Sequence, residues 1–303
     1  MAFIQCLRSQ STTRPARGLC LAAVVAIAAA GCGNGSRLVL TQQVEARKLA
    51  SNLRVQFGKG ADASNRAVME VTDEASSAAA REAEQAAQVV ERDIEALERL
   101  LQTLAYSNDI QHLDAFKACF SRYRALDAEI LPLAVENTNV KAQRLSFGPS
   151  REAANAFRQS LEAAARSTAA ATTCCAEALV AKATAALLEV QVIQARHIAE
   201  SDDGAMSQME MEMATAEGNA RKAVDTLKGL LPPTAAPQLS AASTAIDRFH
   251  AINAELVTLS RRNSNVRSLA LSLGRKRTVT AECDNSLHML EDTLATHDFT
   301  ATR

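Results

Sequence analysis

A chain of 303 residues is long enough for one large domain or two of ordinary size. Hydrophobic residues make up 48% but aromatics only 3%, with no Trp and few Gly and Pro, so the apolar content is mainly Ala, Leu and Val; that mixture suits long helices and starves sheets of their usual residues. With 33 basic against 34 acidic residues there is no global field for an acidic polymer, which excludes nucleic acid as the expected partner.

The chain opens with Arg8, Arg14 and Arg17, followed by the uncharged apolar run GLCLAAVVAIAAAG from Gly18 to Gly31. The run is shorter than the roughly 20 residues of a spanning helix and ends in small residues, as a secretory signal does. Its ending, Ala29-Ala30-Gly31-Cys32, resembles the lipobox of bacterial lipoproteins, with Ala29 where Leu is usual. That resemblance implies lipidation of Cys32, a flexible tether over residues 32–40 and a chain hung from a membrane surface in the bacterial cell envelope, on its extracytoplasmic or periplasmic side. Ordinary cleavage after Ala28-x-Ala30 is the competing reading.

From about Leu38 the pattern is helical. Ala83, Ala87, Val90, Ile94, Leu97, Leu101 and Leu104 recur at alternating spacings of four and three, the seam of a helix packed on other helices. Met206, Met209, Met213, Ala216, Ala220, Ala223, Leu227 and Leu230 repeat the rhythm, so the methionines read as core rather than as soft-metal ligands. Turn chemistry follows each, at Ser107-Asn108-Asp109 and at Leu231-Pro232-Pro233.

The next helices reveal a duplication. Tyr123 to Gly148 reads YRALDAEILPLAVENTNVKAQRLSFG, and 126 positions later Phe249 to Gly274 reads FHAINAELVTLSRRNSNVRSLALSLG, aligned without a gap. Identities at Glu129/Glu255, Asn137/Asn263, Asn139/Asn265, Ser146/Ser272 and Gly148/Gly274 go beyond shared composition. A sharp break is expected at Gly148-Pro149 and a softer one at Gly274. Between Ser150 and Asp203 there is neither Gly nor Pro, and Phe157, Leu161, Ala164, Thr168, Ala171, Cys175 and Ala178 keep the rhythm, so one helix is expected to run through this stretch, with Ser201-Asp202-Asp203-Gly204 as its break. The expected architecture is all-α: an elongated antiparallel bundle of two tandem homologous units with long shared helices, divided as a signal peptide (1–31), a tether (32–40), a first unit (41–175) and a second unit (176–303).

The order of a long Ala-rich helix, a helix closing on ILPLAVENTNV, a short segment and then SREAANAFRQSLEAAA resembles the four-helix-bundle sensor domain of methyl-accepting chemotaxis receptors, and the second copy resembles it too. The doubled form is similar to the bimodular helical sensors. The resemblance implies an extracytoplasmic sensory or ligand-binding module. Such receptors carry a transmembrane helix on each side of the sensor and a cytoplasmic output; no second apolar span follows here, so the expected module hands its signal to a membrane receptor or another helical envelope protein. The rival reading is a structural or adaptor lipoprotein, built like a spectrin-type chain. The oligomer is left open, a homodimer included.

Chemistry is sparse. The five histidines show no metal-ligand spacing, and no nucleophile elbow, P-loop or dinucleotide turn is present, so no enzyme, metal or cofactor is expected. After removal of the signal, Cys119, Cys174, Cys175 and Cys283 read as small buried hydrophobes, with a disulfide considered for Cys174 or Cys175. The candidate ligand-binding residues are Asn263 and Asn265, with helix capping as the structural reading, and Arg261, Arg262 and Arg267. These arginines, with Arg275, Lys276 and Arg277, make the second copy basic where the first is not, which suits a small anionic ligand, a membrane-facing end or a solvated tip.

Overall fold

The computed structural model describes residues 20–167 and 172–297, with side chains from residue 37 onward. The fold is all-α, with no strand among the described residues. The helices are α1 (Cys20–Met69), α2 (Asp73–Leu104), α3 (Ser107–Glu136), α4 (Thr138–Leu145), α5 (Arg151–Ala165), α6 (Thr173–Ala199), α7 (Asp203–Leu230), α8 (Ala236–Arg262), α9 (Ser264–Leu271) and α10 (Arg277–Thr296). Single π-helical turns, Ser146–Ser150 and Ser272–Lys276, join α4 to α5 and α9 to α10.

Local chemistry sets the ends. Thr72 accepts from the Ala75 amide and Asp202 from the Ala205 amide, so α2 and α7 start behind side-chain caps with acidic residues in their first turns. Pro232 and Pro233 end α7, and Ala105 closes α2 in the left-handed region at φ 57°.

Two four-helix bundles result. In the first, α1, α2, α3 and α10 pack around Leu53, Phe57, Leu97, Leu101, Phe116 and Leu290; in the second, α5, α6, α7 and α8 enclose Phe157, Leu161, Leu187, Met213, Leu227 and Phe249. The expected methionine stripe is core: Met206, Met209 and Met213 are all buried. The path α3–α4–α5 leads from the first bundle into the second, and α8–α9–α10 leads back. Bundles in space therefore do not follow the halves of the sequence, since α10 of the second copy completes the first bundle and α5 of the first copy completes the second.

Several expectations are corrected. The segment 32–40 read as a tether continues α1, because nothing there removes a ladder hydrogen bond and glycine only weakens a helix. Cys32 lies in that helix with its side chain outside the described residues, as are residues 1–19 of the signal. No single helix crosses 150–203: α5 ends at Ala165 and α6 starts at Thr173, running back against it. The reversal resets the helical phase, so Ala176, Val180, Ala183 and Leu187 are buried while Cys175 and Ala178 face solvent; Thr168 and Ala171 lie outside the described residues. At Ser201–Gly204 the chain does break, and reverses into α7. Gly148-Pro149 and Gly274 do not break the helix: each lies in a π turn that continues into the next helix, and in the first the wider turn absorbs the missing N–H of Pro149.

The cysteines are also corrected. Cys119 on α3 and Cys283 on α10 form a disulfide with Cα atoms 5.5 Å apart, whereas Cys174 and Cys175 are free and exposed. In the other bundle the equivalent positions, Ala245 on α8 and Phe157 on α5, are both buried in its core, so the bridge stands where the second bundle packs an aromatic beside an alanine. Among the described residues no helix is long and apolar enough to cross a membrane.

Candidate functional site

Where the two long paths cross, each bends at an asparagine. Asn137 and Asn263 both sit in the left-handed region, at φ 50° and 53°, ending one helix and starting the next. Asparagine is among the few non-glycine residues that accept this conformation readily. The new helices α4 and α9 then start with unpaired backbone N–H groups, and each copy satisfies the other's. The Thr138 amide donates to Ser264 Oγ (3.1 Å) and the Ser264 amide to Thr138 Oγ1 (3.0 Å). The Asn139 amide donates to Asn265 Oδ1 and the Asn265 amide to Asn139 Oδ1, both at 3.1 Å. Asn139 Nδ2 donates to Asn263 Oδ1 (2.7 Å), and Asn265 Nδ2 to Asn137 Oδ1 (2.9 Å). Duplicated residues thus meet across a local two-fold axis.

The same joint collects the ends of the outer hairpins. Asn137 Nδ2 donates to Ser76 Oγ of α2 (3.1 Å), Asn139 Nδ2 to the Ile198 carbonyl (2.7 Å) and Asn263 Nδ2 to the Glu200 carbonyl (2.7 Å). Asn265 is therefore committed to capping the opposite copy's helix, and Asn263 to holding the Asn139 side-chain amide and the Glu200 carbonyl, so neither side chain caps its own local turn. Of the candidate arginines, Arg261 bonds Glu210 (2.6 Å) and Ser207, Arg262 bonds both oxygens of Glu136 (2.6 and 2.5 Å), and Arg267 is exposed. Arg261 and Arg262 hold their carboxylate partners below the usual glutamate range. The basic tip does not gather into one anion cradle.

Beside the joint, each bundle holds a buried polar cluster at the same place, one that the sequence reading missed. In the second bundle it is neutral: Ser146 and Ser150 donate to Gln194 Oε1 (2.9 and 3.2 Å), and Gln194 Nε2 donates to Asn253 (2.9 Å). In the first bundle Ser272, Lys276 and Asp127 occupy the positions of Ser146, Ser150 and Asn253, and Ser64 stands for Gln194, counted from the first residues of α2 and α7, Asp73 and Asp203. There Lys276 Nζ donates to Asp127 Oδ1 (2.5 Å) and to Ser64, Ser64 donates to Asp127 (2.7 Å), and both charged side chains are 2% exposed. Burial holds the Lys276 ammonium below the ordinary lysine range, with Asp127 pulling the other way. Lys276 Nζ also lies 4.9 Å from the centre of the Tyr123 ring. The Tyr123 hydroxyl is buried without a hydrogen-bond partner, and burial, then the Asp127 charge, pushes it above the ordinary tyrosine range. The available signal was the alignment of Lys276 with Ser150 inside an otherwise apolar register.

The ionic cluster borders an open groove of about 630 Å³ between α1 and the α9–α10 path, with Ser272 and Lys276 in its wall. That size suits a small organic ligand. A second groove of about 660 Å³ lies between α5 and α6 and reaches Arg166 and Thr173.

One more constellation has the composition of a hydrolytic triad: Ser260 Oγ lies 2.8 Å from His197 Nδ1, and His197 Nε2 lies 3.0 Å from Glu210. Ser260 and His197 are both fully buried, and the Ser260 hydroxyl also donates to the His197 carbonyl, so the group ties α6 to α8 and presents no nucleophile to a substrate. Among the described residues no cluster could hold a metal ion. Comparison with protein-family models, curated proteins and solved structures finds no match.

Proposed function

We propose that this protein is a non-enzymatic ligand-binding or sensory module of the bacterial cell envelope, held at a membrane through a lipid on Cys32 and passing its state to a membrane receptor or helical envelope protein. The observation that carries the reading is the groove of about 630 Å³ opening beside the buried Lys276–Asp127 pair, a gap between helices with polar groups in its wall. Its walls belong to α1 and α10, whose outer ends lie together: Arg47 donates to the carbonyls of Leu294 (3.0 Å) and His297 (2.6 Å). A ligand that moves α10 against α1 thus acts on both helices leading to one end of the molecule. The helix order read in the sequence as similar to chemotaxis receptor sensors supports the same reading, and the Cys119–Cys283 disulfide suits an oxidising, extracytoplasmic compartment.

A thermal-shift screen of the full chain against small organic acids, amino acids and polyamines tests it. A saturable rise in melting temperature is expected for at least one class. No shift from any compound, with the protein folded, favours the adaptor reading, whose support is the exposed apolar trio Leu188, Val192 and Met211 on α6 and α7.

A further inference from the structure

The groove of the first bundle has a particular charge pattern. Helices α1 and α10 run antiparallel, in a register fixed by Arg54 bound to Asp284 (3.0 Å), Arg47 to the Leu294 carbonyl (3.0 Å) and Lys276 to Ser64. That register puts Asp62 of α1 at the level of Arg277 of α10, on the two sides of the groove. The other charged or hydrogen-bonding groups of the wall are largely engaged: Asp284 by Arg54, Lys276 by Asp127 and Ser64, and Ser272 by Asn65. Asp62 and Arg277 are exposed and form no ion pair or side-chain hydrogen bond, with each other or with any described residue. Around them the wall is apolar, and it gathers three of the molecule's exposed large hydrophobic side chains: Met69 (70% exposed), Leu273 (63%) and Leu269 (38%). Gly58, also in the wall, faces open space where a side chain would stand.

One carboxylate and one guanidinium left unspent at the same level, over an apolar wall, call for a ligand with the complementary pattern. We propose that this groove binds a small amphipathic zwitterion, with its ammonium on Asp62, its carboxylate on Arg277 and its apolar body over Met69, Leu269 and Leu273. The guanidinium offers paired donors to a carboxylate, and the Asp62 carboxylate accepts from an ammonium. A simple organic acid leaves Asp62 unmatched, and a simple amine leaves Arg277 unmatched. The assignment rests on the ligand-binding reading above and names its site and ligand class.

Titration calorimetry of the full chain tests it, with L-phenylalanine, L-leucine and L-methionine as probes and with 3-phenylpropanoate and 2-phenylethylamine as analogues lacking one charge. At least one amino acid is expected to bind, and each analogue to bind at least about tenfold more weakly than L-phenylalanine, as loss of a charge-assisted contact implies. Asp62→Asn is expected to erase the preference over 3-phenylpropanoate, and Arg277→Gln the preference over 2-phenylethylamine. Gly58→Leu fills the groove and is expected to abolish binding while leaving the melting temperature equal or higher, because leucine is the better helix former. Equal binding of the singly charged analogues, binding that survives Gly58→Leu, or no binding of any amino acid overturns the assignment. If the screen finds another ligand while these probes fail, the general reading stands and only the groove assignment falls; if the screen finds nothing, both fall.

Discussion

Glu136 and Arg262 stand at the same position in the two copies, 126 residues apart, and bind each other through both carboxylate oxygens at 2.6 and 2.5 Å. A position that meets its own duplicate on a two-fold axis carries like charges in a symmetric pair, and two glutamates or two arginines there repel. In the fused chain the copies have diverged into opposite charges, so the pair selects the asymmetric arrangement. Glu136→Arg is therefore expected to lower the melting temperature at low salt, and the swap Glu136→Arg with Arg262→Glu to recover most of the loss, the difference shrinking as salt is added. Equal effects of the single and swapped variants in thermal melts contradict the pairing.

The buried ion pair lends itself to a transplant. Lys276→Met alone leaves Asp127 buried and unpaired, at an expected cost of about 3–5 kcal/mol in urea denaturation. Importing the other bundle's neutral residues, Lys276→Ser with Asp127→Asn, is expected to recover most of that cost. A double variant no more stable than the single one means that the surrounding wall is built for charge.

The pH profile separates Lys276 from its neighbour Tyr123. Because the folded Lys276 pKa is lowered, the unfolded chain binds more protons between that value and the ordinary lysine value of 10.5, so this group makes stability rise with pH in that window. Tyr123 is raised from 10.0, so above about that pH the unfolded chain loses a proton that the folded chain keeps, and stability falls. Tyr123→Phe, which copies Phe249 of the other bundle, is expected to flatten the alkaline fall and to be neutral or stabilising at pH 7, since it removes an unpartnered buried hydroxyl. A Tyr123→Phe protein with an unchanged alkaline slope contradicts this.

How much of this could be read from the sequence depends on whether the physics is local. The helices were legible because their apolar spacing is local, and the asparagines at 137, 139, 263 and 265 announced caps because Asn satisfies helix starts. Their partners were not legible: alignment says which residues correspond, and only the crossing of the two paths says that they touch. The disulfide was hidden for the same reason, since Cys119 and Cys283 lie 164 residues apart in different copies. The end of α5 at Ala165 and the return of the chain in α6 were missed because the sequence between them carries neither Gly nor Pro, and Lys276 was read with the solvated arginines because charge alone does not reveal burial.

The disulfide closes a long loop, so Cys119→Ala with Cys283→Phe, which imports the residues of the second bundle, is expected to cost about 2–5 kcal/mol less whatever the aromatic packing restores. Alkylation without reductant should label Cys174 and Cys175 and leave Cys119 and Cys283 unlabelled. Labelling at Cys119 or Cys283 in the folded, unreduced chain contradicts the bridge.

The joint itself is tested most directly by Thr138→Cys with Ser264→Cys, in a chain whose Cys174 and Cys175 are replaced by Ser. Thr138 Oγ1 and Ser264 Oγ are 3.1 Å apart, so mild oxidation is expected to give a near-complete intramolecular disulfide linking residues 138 and 264, seen by mass spectrometry of proteolytic fragments. A folded protein in which these cysteines stay reduced, or pair only between molecules, would mean that the two copies do not close on each other.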